Sequence, residues 1–137
     1  MIAFNYETEF KLNDEEKTSE WILSCIENND FELGEINYIF CDDEYLHKIN
    51  VEFLEHDTLT DIISFDYTLG KLVGGDIFIS TERVIENAKE FNVSFNEELH
   101  RVIIHGILHY MGFKDKSDEQ KQLMRDQENN CLKSLNL

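Results

Sequence analysis

Asp61-Ile62-Ile63-Ser64-Phe65-Asp66-Tyr67-Thr68-Leu69-Gly70-Lys71-Leu72-Val73-Gly74-Gly75-Asp76-Ile77-Phe78-Ile79 reads as two strands with a turn between them. Ile, Phe, Tyr and Val dominate both runs, and these side chains suit a pleated, half-buried surface. Asp61 to Tyr67 reads as a buried strand, Thr68-Leu69-Gly70-Lys71 turns it, and Leu72 to Ile79 returns as its antiparallel partner. The Gly74-Gly75 pair marks a bulge or a close approach of another part of the chain.

Strands and helices alternate before this pair. Ile2 to Phe10 is a first strand. Asn13-Asp14-Glu15-Glu16 starts a helix whose apolar stripe, Trp21, Ile22, Cys25 and Ile26, runs to about Asn28. Gly34 to Cys41 is a second strand, and Asp42-Asp43-Glu44 opens a helix with the stripe Tyr45, Leu46, Ile49 and Phe53. Leu54 to Thr60 is a polar connection. After the strand pair, Ser80-Thr81-Glu82 caps a helix to about Phe91, Asn92 to Ser94 breaks it, and Asn96-Glu97-Glu98 opens a long apolar helix. Ser117-Asp118-Glu119-Gln120 starts the last helix, with Leu123, Met124, Gln127, Cys131 and Leu132 on its inner face. The order β-α-β-α-β-β-α-α-α predicts an α+β fold, a small mixed sheet of about four strands with helices packed on it.

Length and composition narrow the class. At 137 residues the chain is expected to be one domain spanning 1–137, long enough to bury about two thirds of its unfolded surface. No apolar run approaches the roughly 18 residues of a membrane span, and the N-terminus lacks a basic segment followed by an apolar one. A cytoplasmic protein is expected. The three cysteines, Cys25, Cys41 and Cys131, have no metal-ligand spacing and read as reduced, buried small hydrophobes. The net charge of -17 is uneven: residues 1–82 hold 4 Lys/Arg against 20 Asp/Glu, residues 83–137 hold 8 against 9. An acidic surface opposes non-specific nucleic-acid binding, so a polyanion must approach the C-terminal half.

That half contains His105-Gly106-Ile107-Leu108-His109-Tyr110-Met111-Gly112-Phe113-Lys114-Asp115. Histidines four apart lie about 40° apart around a helix, so both imidazoles leave one face. The pair alone admits two readings: ligands of one cation, or core-edge histidines satisfied by hydrogen bonds. Gly112 stops the helix in the left-handed conformation and lets the chain double back to present Asp115 to the same point, which favours the metal. Two imidazoles and a carboxylate suit zinc with an open fourth position, where a bound water becomes more acidic. Gly106 stands where the His-Glu-x-x-His motif places its general base, which disfavours a peptidase. His100, about 140° round the helix from His105, should point away. Glu98, within about 20° of the ligand face, is placed to orient a ligand imidazole or simply to complement the helix dipole.

Asn50 and Phe53, then Thr60-Asp61-Ile62-Ile63-Ser64-Phe65, then Gly75-Asp76-Ile77, then His105 to Asp115 together resemble the YbeY family of zinc-dependent endoribonucleases of ribosomal RNA maturation, over nearly the whole chain. The resemblance implies that His105, His109 and Asp115 hold the metal, with Asp115 at the place of the family's third histidine. The aspartate charge leaves such a site one unit less positive and its metal a weaker Lewis acid. The resemblance also points to Asp61 and Ser64 as substrate-binding residues, although each also suits a bond to neighbouring backbone. The family usually has an arginine directly after the aromatic, where this chain has Leu54. A phosphate contact then falls by position to Arg101, Lys114 or Lys116, each of which also reads as an ordinary surface charge. His56 and Asp57 are loop residues that could approach the metal.

The expected function is therefore a single-strand endoribonuclease with one Zn2+ per chain, acting on precursor ribosomal RNA with a ribosomal or assembly-factor protein as partner. Neither DNA nor a membrane is expected. No glutamate stands beside the first histidine, so no catalytic group beyond the metal-bound water is assignable. Two other readings compete: a ribosome-assembly binding factor with a structural metal, and a metal-dependent hydrolase of another substrate.

Overall fold

In the computed structural model, which describes residues 1–54 and 60–135, the elements run β1 (Ile2–Tyr6), α1 (Glu15–Asn28), β2 (Glu32–Cys41), α2 (Asp43–Leu54), β3 (Ile62–Asp66), β4 (Leu72–Ser80), α3 (Thr81–Phe91), α4 (Phe95–Tyr110) and α5 (Asp118–Lys133). This is the expected α+β order. The sheet runs β1-β2-β4-β3, with β1, β2 and β4 parallel and β3 antiparallel to β4. His56 and Asp57 lie outside the described residues.

Several boundaries and faces differ from the sequence reading. The first strand ends at Tyr6, and Phe10 instead turns onto Phe40 and Phe95, with ring centroids 5.3 and 5.8 Å away. β3 is an edge strand in which only Ile63 is buried, because β4 pairs on its other side with β2. The bulge opposes the glycine pair: Leu33 faces Val73 and Ile36 faces Gly75, so the extra residue is on β2. On α2 Leu46 is buried, whereas Tyr45 and Phe53 are 38% and 62% exposed. This helix packs mainly on β3 and β4, on the sheet face opposite α4, around the small cluster Leu46, Ile63 and Cys41 at the end of β2. Leu123 of α5 is exposed, and Glu128 replaces it on the buried face beside Met124 and Cys131.

The main core lies between the other sheet face and α1 and α4. Trp21, Ile22, Cys25 and Ile26 of α1 are all buried, as the stripe predicts. The Trp21 indole donates to the Cys131 carbonyl at 2.8 Å, which ties α1 to α5. All three cysteines are free and buried. Ile103, Ile104 and Ile107 of α4 are wholly buried, each contributing about 1.5–3 kcal/mol of apolar burial. Gly106 explains how closely α4 sits on the sheet: a Cβ there would meet Ile77 Cδ1 at 3.0 Å and Ile62 Cδ1 at 3.3 Å. From Glu98 to Tyr110 the helix is buried except at Arg101, His105 and His109. These residues form one i, i+4, i+8 stripe, and the site is built on it.

Away from the site, Arg83 of α3 donates to Asp43 of α2 at 2.7 Å, and the Ser80 hydroxyl donates to the same carboxylate at 2.6 Å. Partial burial opposes charge on Asp43, but these bonds outweigh it and hold its carboxyl below the usual range. A depressed folded-state pKa gives stability that is present above the unfolded value, about 3.9, and is lost as pH falls through the folded one. Melting temperatures of parent and Arg83→Met should therefore differ by a constant amount above about pH 5 and converge below about pH 4. A difference that stays constant in acid would rule out Asp43 as the titrating group.

Candidate metal centre

Two imidazoles and one carboxylate meet at the end of α4. Gly112 adopts a φ of +98°, a left-handed conformation that non-glycine residues rarely take. It turns the chain back so that Asp115 Oδ2 lies 3.3 Å from His105 Nε2 and 3.3 Å from His109 Nε2. The two Nε2 atoms are 3.0 Å apart. These sequence-predicted residues are brought together as expected, all partly open to solvent.

Hydrogen-bond bookkeeping shows what this cluster suits. His105 Nδ1 lies 2.7 Å from Glu128 Oε2, and His109 Nδ1 lies 3.0 Å from the Phe113 carbonyl oxygen. Both partners can only accept, so each Nδ1 carries the proton. In the neutral rings both Nε2 lone pairs then point at one another and at a carboxylate oxygen. Three electron-pair donors converging without a proton repel unless a cation lies among them. Donors about 2.0–2.1 Å from a tetrahedral ion stand roughly 3.3 Å apart, close to the three separations found. The residues present fit a metal of the zinc type.

Glu128 is the functional residue the sequence reading missed. Its carboxylate, 7% exposed, takes His105 on one oxygen and Arg101 Nη1 on the other at 2.9 Å. Arg101 Nη2 also donates to Asn129 at 2.9 Å. Burial opposes charge on His105, but the Glu128 bond and charge, with Asp115 and Asp61, outweigh it and raise the imidazole above its ordinary range. The readable signal was a glutamate four after Met124 and three before Cys131, on the apolar face of α5. Glu98, placed by angle as the orienting group, does not serve His105.

Two cavities flank Asp115. One, of about 290 Å³, includes Asp61, Glu98, Arg101, His105, Arg125 and Glu128 in its wall. The other, of about 610 Å³, is lined by His109, Lys114, Lys116, Ser117 and Gln120. Burial raises the Asp61 carboxyl, which accepts from Asn87 Nδ2 at 3.2 Å. Ser64 is exposed on β3 and lines neither cavity. His100 points away as expected, its ring edge-on to Trp21 at 5.4 Å. Leu54 is exposed at the end of α2.

A family model described as Endoribonuclease YbeY matches residues 2–136. The chain belongs to the YbeY endoribonuclease family. The Endoribonuclease YbeY of Flavobacterium johnsoniae is 66% identical over 128 residues, 93% of this chain and 92% of the relative. That of Bacteroides fragilis is 46% identical over 134 residues, 96% of each chain. The solution structure of TM1509 from Thermotoga maritima superposes with a TM-score of 0.68 at 27% identity, covering 99% of this chain and 92% of that one. The YbeY relationship agrees with the resemblance read from the motifs. No described helix is long and apolar enough to cross a membrane.

Proposed function

We propose that this chain, as one domain, is a metal-dependent endoribonuclease that cleaves single-stranded RNA during ribosomal RNA maturation in the cytoplasm, with one zinc ion held by His105, His109 and Asp115. The observation that carries this reading is the convergence of two imidazole Nε2 atoms and Asp115 Oδ2 within 3.3 Å of one another. When bound, the metal would supply a Lewis acid for a phosphoryl oxygen and lower the pKa of water. The protein's own contribution is positional. Glu128 and the Phe113 carbonyl fix both histidine tautomers, and Arg101 neutralises the buried Glu128. Arg101 is committed to Glu128 and Asn129, so Lys114 and Lys116 are the cations free to take RNA phosphates on the open side of Asp115. Asp61 lies just before β3 and Ser64 within it.

Purified chain should contain one metal ion, and His109→Ala should lose both that ion and RNA cleavage. Cleavage that persists in this variant, or after chelation, would defeat the mechanism. The charge of -17 favours a protein partner, ribosomal or an assembly factor, that brings the RNA. It also supports a second reading, an assembly factor whose metal only joins α4 to the segment before α5. Under that reading His105→Ala lowers the melting temperature far more than it lowers cleavage.

A further inference from the structure

Glu98 has no role in the structure described so far. It is 4% exposed, and its carboxylate forms no hydrogen bond or ion pair with a described residue. The Glu98 oxygens are not sealed from solvent: they open onto a cavity and keep their accepting capacity for whatever enters it. Burial raises its carboxyl, with Asp61 adding to the shift and Arg101 and Arg125 opposing it. The group lines the 290 Å³ cavity beside His105 and Asp115, where Ile62 and Val102 provide apolar walls. Arg125, exposed on α5, reaches the same cavity and forms no ion pair with a described residue. The cavity therefore offers an acceptor pair, an uncommitted guanidinium and two branched aliphatic side chains, directly against the metal ligands.

We infer that this cavity takes a guanine base adjoining the scissile phosphodiester, with Glu98 accepting from guanine N1–H and N2–H and Arg125 donating to O6 and N7. The inference rests on the endoribonuclease reading above. Guanine is the base that presents two parallel N–H donors to a carboxylate. Adenine and cytosine set one amino group beside a ring lone pair, which would face the second carboxylate oxygen, and uracil sets one N–H between two carbonyls. Arginine to guanine O6 and N7 is the commonest specific base contact. The volume is at the lower limit of small-molecule sites, about 300–1,000 Å³, which suits one base splayed out of a single strand.

The test titrates the metal-loaded full chain with GMP, AMP, CMP and UMP, whose shared phosphate contributes equally at the metal, followed by NMR or calorimetry. GMP should bind about 10-fold or more tighter than the others. Glu98→Gln should abolish that preference while raising the melting temperature, because it removes a charge that burial disfavours. Arg125→Met should weaken GMP binding severalfold and leave the melting temperature unchanged. Equal binding of GMP and AMP, or unchanged GMP affinity in Glu98→Gln, would overturn the assignment. A chain that prefers GMP through Glu98 but cleaves no RNA keeps the guanine site and removes the endoribonuclease reading. A chain that cleaves RNA without regard to guanine and shows no GMP preference does the reverse.

Discussion

Glu128→Ala should lower metal affinity by about 10- to 100-fold and stability by about 3–5 kcal/mol. Both effects come from one carboxylate, whose oxygens lie 2.7 Å from His105 Nδ1 and 2.9 Å from Arg101 Nη1. Without the acceptor at Nδ1, the His105 proton is free to move to Nε2, the atom that must offer its lone pair to the metal. The stability loss has a different origin. Arg101, 12% exposed on its side chain, is left with a buried charge and only Asn129 as partner, and stranding one member of a buried pair costs more than the pair contributed. Pairing Glu128→Leu with Arg101→Met removes the stranded charge. That double variant should recover much of the stability, measured by urea unfolding, and none of the metal affinity, measured by competition with a chromophoric chelator. If metal affinity survives in either variant, the tautomer of His105 is not what Glu128 controls.

What the sequence disclosed and what it withheld divide along a physical line. The helix carrying both histidines, the turn at Gly112 and the return of Asp115 follow from local spacing, whereas the helix starts at its Ser94 cap, ahead of the opening expected at Asn96. The element order was legible for the same reason. Sheet order was not, because β3 becomes an edge only when β2 and β4 pair across the intervening helix and hairpin, a choice made by long-range contacts. The exposure of Tyr45 and Phe53 follows from it, since α2 packs mainly on the β3–β4 side of the sheet. Glu98 shows the limit of angular reasoning: it lies on the ligand face in projection, but seven residues put it about 10 Å from His105 along the axis. Glu128, far away in sequence, was brought to His105 by the packing of α5 on α4.

Gly75→Ala should cost about 3 kcal/mol or more and lower the melting temperature by about 10 °C, an effect that carries into the metal centre. A Cβ at this position would lie 2.4 Å from the Phe65 carbonyl oxygen and 2.6 Å from Cζ and Oη of Tyr110. The first obstacle is backbone of the neighbouring strand and cannot yield without separating β3 from β4. The second is a ring whose hydroxyl lies 3.0 Å from the Phe65 carbonyl and 3.1 Å from the Asp76 carbonyl, in a residue 4% exposed. Displacing that ring strands buried polar groups, at about 1–3 kcal/mol, in addition to the roughly 1–3 kcal/mol of overpacking. Tyr110 is the residue after His109, so its departure also loosens the last turn of α4 and weakens metal retention. Tyr110→Phe, which removes the hydrogen bonds and leaves the ring in place, should cost only about 1 kcal/mol. Tyr110→Leu removes the ring from the path of the new methyl, so in that background Gly75→Ala should cost less than in the parent, while the clash with the Phe65 carbonyl remains. Strictly additive losses would show that the ring and the strand glycine are not in the contact described, and that the close approach expected at the glycine pair does not anchor α4.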